Sequence, residues 1–594
     1  MGQNNTKISS KQQIVIGIDF GSGGITFAYG FLDDPKKGVF NALFEEQQQL
    51  NTNKISNEII LDENLENVLS FGNNCNNFLS LKQEKQYHHF KNIKMNLYNN
   101  VYKIKANNSN KEVDIQYIIT KILKEVKIKA IEQIKKYMTN DLEEKNIHWV
   151  ITVPAIWDIK AKQIMINAAQ EAGLIRDDDD PSNFFALEPE AASLYYHNSP
   201  HALKKVNFNS GEPFIIFDLG SGTADIVTQR KITVNKENKF EEIYPPIGGG
   251  YGCNTINEKI INKVMKVLFG KERFNKAKEE QSKNNYEDWF EFENRIEQFK
   301  KNFNSNDQKK SSFKIDCKIF KKYCKEGVDK LIDKFNLNNE KWKLSVDDEW
   351  RINFPYTIIN DLMSQLIKDI IKKYINHILE FNDIKTLVFT GGASNSPILF
   401  DLLKNSGLKI SKFVKSPNPE IAIAHGSVLY SYDHNIISPR KAKYTFGLKS
   451  SVEWNEEKHK NGGIKKYDSF DKIYRCKNSF KKFITKNDNL RPDKEITHLF
   501  VINHPKINIE LYKTDKEDAL FCDEKDNKNN LIVTKFGEFI IDVGNDFDIS
   551  KREVEVKMKM GGTFITVTAI YLKTGKTSKI TCLYEDQIIK GVVQ

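Results

Sequence analysis

Residues 218–225 read DLGSGTAD, fed by the apolar run FIIF at 214–217. About 200 residues upstream stands a near copy, IVIGI at 14–18 followed by DFGSGG at 19–24. A strand, an acid and a glycine turn occurring twice suggest two similar halves that hold one ligand between them. Small residues let backbone approach a ligand closely. Consecutive N–H groups in such a turn form an anion-binding nest. Aspartates at the strand ends would repel bare phosphate, and they make sense when a divalent cation with its waters lies between. Asp19 and Asp218 therefore point to Mg2+-nucleotide, and Asp225 can reach the same cleft from the returning strand. Either turn alone could equally be an ordinary glycine hairpin.

The surrounding chain bounds the answer. With 594 residues, two to four domains are expected. Apolar content of 39% and charged content of 28% fit a globular protein. No apolar run is long enough to span a bilayer, and MGQNNTKISS lacks the apolar core of a secretory leader. The cysteines form no C-x-x-C pair and are odd in number, 7 in all, which fits a reduced cytosolic protein. The net charge of +10 comes from lysines interleaved with acids and asparagines, a solvated surface and not a nucleic-acid module. Met1-Gly2-x-x-x-Thr6 matches the acylation pattern at Gly2. A single myristoyl chain gives only marginal, reversible membrane contact, and a plain polar N-terminus is the alternative.

Apolar strands are expected at 14–18, 149–153, 214–217 and 386–390. Periodicity predicts amphipathic helices over 115–137 and 354–381. A shorter helix follows Pro154, with Asp158 as N-cap and Gly173 as its stop. Alternating strands and helices imply an α/β region to about residue 435. From about Lys443 the pattern has period two, the mark of a β-rich domain. The Lys/Asn-rich stretches near 271–287 and 523–530 are expected to be insertion loops. A third strand end, VFTGGASNSP, carries Gly391 and Gly392 before a helix near Pro397.

This set and order resemble the actin–sugar kinase–heat-shock ATPase superfamily. ITVPAIWDIKAKQIMINAAQEAGL at 151–174 and ALEPEAASLYY at 186–196 are similar to the seventy-kilodalton heat-shock chaperones. The tryptophan in VPAIW and the EPEAAS wording look like the divergent branch called heat shock 70 kDa protein 12-like. The resemblance implies a two-lobed actin-like ATPase domain with ribonuclease H-like subdomains over 14–440, with lobe I about 14–205, lobe II about 206–385 and a return at 386–440. A β-rich domain like a substrate-binding sandwich would occupy 441–594, after a polar N-terminus at 1–13.

The resemblance also assigns roles. Asp19 and Asp218 would hold hydrated Mg2+, with Asp225 and Glu188 positioning water and metal. Gly21, Ser22, Gly23, Gly220, Ser221, Gly222 and Thr223 would line the phosphates of ATP or ADP. Gly248, Gly249 and Gly250 would pass beneath them. Lys94, in preference to Lys91, would approach the γ-phosphate. Glu297, Lys300 and Lys301 fit a ribose and adenine helix, with Gly391, Gly392, Ala393 and Asn395 opposite; the same spacing is that of a surface ion pair. K+ is a further candidate cofactor. The implied function is a slowly hydrolysing, chaperone-like ATPase with a protein or peptide client on the β domain and a nucleotide exchange partner. The departures are Ser22-Gly23-Gly24, Ser221, Ala393 and Asn395, together with HNIISPRKAKYTFG in place of an acidic, leucine-rich linker. They favour the alternative of a scaffold or adaptor that binds nucleotide without turnover. A small-molecule kinase would need a base at a sugar pocket, and no motif supplies one.

Overall fold

The computed structural model describes residues 13–583 and 589–590, apart from 42–52, 82–85, 138–141, 158, 177–178, 180–182, 199–209, 235–236, 302, 304–311, 348, 382, 435, 438, 492–494, 549, 561–563 and 584–588. Gly2, Asp158 and most of the acidic run 177–180 lie outside the described residues.

Two sheets share one topology. In the first, Ile14–Phe20 pairs antiparallel with Ile25–Phe31, which pairs with Phe40–Asn41. On its other side Ile14–Phe20 runs parallel to Ile147–Val153, which runs parallel to Phe185–Leu187. In the second, Pro213–Leu219, Ala224–Val234 and Glu237–Gly249 form the antiparallel part, and Thr386–Thr390 and Lys412–Lys415 the parallel part. The central strands, IVIGIDF and PFIIFDL, are buried on both faces, which explains their near-continuous apolar runs.

Register places the two acids in equivalent positions. Asp19 stands opposite Thr26 and beside Thr152, while Asp218 stands opposite Asp225 and beside Thr390. The helices that follow the two fifth strands, Glu188–Asn198 and Ala422–Tyr432, cross between the sheets. Their backbones meet at Gly426, where a Cβ would lie 1.7 Å from the Ala191 carbonyl oxygen. Only glycine fits such an approach.

The helices expected from periodicity form at Ile115–Tyr137 and, after Pro355, at Tyr356–Ile370, continuing through a wider turn to Asn376–Phe381. Gly173, at φ +70°, ends the helix Ile159–Glu171. The expected loop at 271–287 is instead the helix Lys271–Asn284 and the start of Tyr286–Lys301. Its few buried residues, Phe274, Ala277 and Gln281, fall on one helical face, and Phe274 stacks on Phe320. Sparse apolar residues at helical spacing held this helix against a polar majority.

Beyond residue 440 the described strands form a six-stranded and a four-stranded sheet, antiparallel except where Ile589–Lys590 joins, and a two-stranded pair. Leu448, Leu511 and Phe539 from one sheet and Val556, Met558 and Val567 from the other belong to one core. Residues 523–530 form a tight turn in which Asp526 accepts from the Asn530 N–H at 2.8 Å. Among the described residues no helix is long and apolar enough to cross a membrane, and none of the six described cysteines forms a disulfide.

Candidate nucleotide site

The duplicated hairpins face each other tip to tip. A Cβ at Gly23 would lie 2.2 Å from Ser221 Oγ, and one at Gly222 would lie 2.5 Å from Ser22 Oγ. Each serine thus occupies the space left by the other hairpin's glycine, a reciprocal contact that follows from the duplicated fold. Backbone bonds stiffen the second tip: Gly220 N–H donates to the Thr223 carbonyl at 2.9 Å, and Cys253 N–H donates to the Gly220 carbonyl at 3.0 Å.

Behind the tips lies a cavity of about 860 Å³. Asp19, Glu188, Asp218 and Lys94 border it, as do Gly21, Ser22, Gly23 and Gly220 to Thr223. Gly391, Gly392, Ala393 and Asn395 lie on one wall and Glu297, Lys300 and Lys301 on another. The structure therefore brings most of the sequence-nominated residues to one cavity. Asp225 is buried beneath it, paired with Asp218 across the hairpin. Gly248 and Gly249 lie on the strand Glu237–Gly249, where they pair with Asp225 and Ala224 and do not line the cavity. Gly250 borders a neighbouring cavity of about 660 Å³ and donates its N–H to the Tyr98 hydroxyl at 2.9 Å.

The carboxylates are strongly perturbed. Burial pushes Glu188 up to about 8, with Asp19 and Asp225 adding to the rise and Lys94 opposing it. Burial, then Asp225 and Asp19, push Asp218 up to about 7. Burial lifts Asp225 to about 6 against a hydrogen bond from Thr223. Asp218 and Asp225 each keep one buried oxygen without a hydrogen-bond partner. Crowded, under-satisfied acids of this kind call for a cation. Among the described residues no three acid, histidine or cysteine groups converge to ligate a metal directly.

Lys94 Nζ forms an ion pair with Glu188, both buried. Lys91, the other nominated lysine, turns away to Glu293 at 2.5 Å. Glu297 is held down at about 2: burial works against this, but Lys300, Lys301 and the Asn257 amide prevail. Lys300 reaches Glu297 at 2.6 Å and donates to the Cys253 carbonyl at 3.3 Å, so this helix is tied to the second hairpin's support.

Sequence reasoning missed a further lysine. Lys54 lines the cavity with its ammonium 3.4 Å from Asp19 Oδ2. It also missed a clasp across the top of the cleft. The strand Tyr87–Lys91 meets the helix Tyr286–Lys301 through Tyr87 OH to Glu287 at 2.8 Å, His89 Nδ1 to Tyr286 OH at 2.7 Å, and the Lys91–Glu293 pair. His89 Nε2 meets Glu58 at 3.0 Å on its other side. Neither feature carries a sequence motif, because each joins residues that only the fold makes neighbours.

Comparison with known proteins agrees with this geometry. A family model described as Hsp70 protein matches residues 71–448. Heat shock 70 kDa protein 12A from Mus musculus is 24% identical over 97% of this chain and 93% of its own length. Heat shock 70 kDa protein 12B from Homo sapiens is 20% identical over 95% and 90%. Chaperone protein DnaK from Stenotrophomonas maltophilia is 33% identical over a shorter span, 20% of this chain and 16% of its own. The family match covers more than half of the molecule, including the second hairpin and the 391–395 wall, and the relatives match nearly the whole chain: the chain belongs to the Hsp70 family.

Proposed function

We propose that this member of a nucleotide-binding, chaperone-type family holds one ATP or ADP in the cavity between its two hairpins and hydrolyses ATP slowly by attack of water. The observation that carries this reading is the convergence of both hairpins, the three buried carboxylates Asp19, Glu188 and Asp218, and the 391–395 wall on one cavity of nucleotide size. Backbone N–H groups of the tips would cradle the phosphates, and Glu297, Lys300 and Lys301 would face the nucleoside. Asp19 and Asp218 would hold Mg2+ through water, and the ion when bound neutralises phosphate charge. Glu188, paired with Lys94, would orient water in the cleft.

The clasp between Tyr87–Lys91 and Tyr286–Lys301 supports a nucleotide-dependent change of lobe angle, since each element leads directly into nominated site residues. The domain division at about 440, with a client-binding region over 441–594, belongs to the same proposal. So do an exchange partner, a cytoplasmic location and peripheral membrane contact through Gly2.

A second reading, binding without turnover in a scaffold or adaptor, is favoured by the Lys94–Glu188 pair. That pair occupies both the lysine nominated for the γ-phosphate and the carboxylate nominated for water. Single-turnover hydrolysis in the wild type and in Glu188→Gln separates the two readings. Turnover that falls at least tenfold in the variant supports the ATPase, whereas equal rates at the uncatalysed level support the binding module.

A further inference from the structure

The lysine nearest Asp19 is delivered by a departure in the first hairpin. Gly24 packs against the segment 54–55: a Cβ there would lie 2.8 Å from the Ile55 carbonyl oxygen and 3.0 Å from Lys54 Cβ. Ile25 and Ile55 exchange both backbone hydrogen bonds, at 2.6 and 2.9 Å, which fixes Lys54 beside the turn. Asn73 braces the same segment, accepting from Ser56 N–H at 3.0 Å and donating to the Lys54 carbonyl at 3.4 Å. Asn57 donates to the Gly21 carbonyl at 2.8 Å, and Asn53 N–H to Glu420 at 3.2 Å. Backbone on both sides of Lys54 is therefore held, and its side chain extends to Asp19 Oδ2 at 3.4 Å on the cavity wall.

Charge in the cleft is then divided in a specific way. Lys94 pairs with Glu188 and Lys54 with Asp19, while Asp218 and Asp225, facing each other across the second hairpin, and Glu420 on the wall add further negative charge. A polyphosphate entering between the hairpins meets an ammonium beside the first acid that would otherwise repel it. At such distances in a partly buried site, one fixed cation outweighs several screened ones at the surface.

Building on the nucleotide reading above, we propose that Lys54 is a resident counter-cation of the cleft, supplying part of the positive charge that phosphate binding otherwise takes from a divalent ion, so that this chain retains ADP when Mg2+ is removed. The test is calorimetric titration of ADP into the full chain, with Mg2+ and with EDTA, for wild type, Lys54→Met and Lys54→Arg. Wild type is expected to bind in EDTA within about tenfold of its Mg2+ affinity, and Lys54→Met to lose at least about thirtyfold in EDTA and far less in Mg2+, with Lys54→Arg close to wild type. Wild-type binding that needs Mg2+ outright overturns the inference while leaving the nucleotide reading intact, and that comparison needs no variant. Equal binding by Lys54→Met and wild type in EDTA also overturns it. Absence of ADP binding in both conditions overturns the nucleotide reading and this inference with it.

Discussion

Arg440 donates two hydrogen bonds to the Glu190 carboxylate, 2.6 Å from Nε and 2.7 Å from Nη2, with both side chains buried. Glu190 lies on the helix that begins with Glu188, and Arg440 stands where the β-rich region begins. Glu242 closes the group: burial and Glu190 push it up to about 8 while Arg440 opposes, and it accepts from Lys441 N–H at 2.9 Å. The segment HNIISPRKAKYTFG, which contains Arg440, is thus anchored two residues along the helix from the candidate catalytic acid Glu188.

Breaking this pair by removing one partner leaves a buried charge uncompensated. Arg440→Met is expected to destabilise the protein by about 3–5 kcal/mol, while Arg440→Met with Glu190→Leu recovers most of the loss. Chemical denaturation of both variants checks this, and equal destabilisation by the single and double variants would contradict it.

The raised carboxyls give a pH dependence with a defined sign. Asp218, Asp225 and Glu188 stand at about 7, 6 and 8 in the fold, above ordinary carboxylate values near 4. Acids raised by folding contribute stability below the unfolded value, and lose it as pH rises through the folded one. Asp218→Asn should therefore melt progressively higher than wild type as pH goes from about 4 to about 8. Melting curves without nucleotide test it, and a pH-independent difference would argue against the crowding of these acids.

Tyr286→Phe removes the hydroxyl that meets His89 in the clasp. A lost hydrogen bond of about 1 kcal/mol at the closed cleft corresponds to roughly fivefold faster nucleotide release. Stopped-flow displacement of a fluorescent ADP measures this rate, and an unchanged rate would detach the clasp from nucleotide retention.

Gly24→Ser should cost about 1–3 kcal/mol, because the new side chain meets the Ile55 carbonyl and the stem of Lys54. Thermal melting reads the cost. A neutral substitution would mean that segment 54–55 yields easily.

Much of this was legible in the chain. The two hairpins were readable because a buried central strand writes its apolar run and terminal acid contiguously, and both central strands form over the expected residues. Glu297, Lys300 and Lys301 were nominated by the family resemblance, and their helical spacing, which a surface ion pair would share, fits the helix Tyr286–Lys301. Lys54 was not, since it sits in a polar stretch, NTNKISNE, and gains its meaning only from the Ile25–Ile55 bridge. The Arg440–Glu190 pair spans 250 residues and leaves no local signature. The helix Lys271–Asn284 was hidden because its core contribution rests on a few side chains among many lysines.

The central claim is that the repeated hairpins clamp one nucleotide. Calorimetric titration of Mg2+-ADP into the full chain, with Asp218→Ala beside it, addresses this directly. Wild type is expected to bind one molecule per chain and the variant to lose binding, while the variant's melting temperature without nucleotide stays equal or rises. No binding by wild type, or undiminished binding by a folded Asp218→Ala, would contradict it.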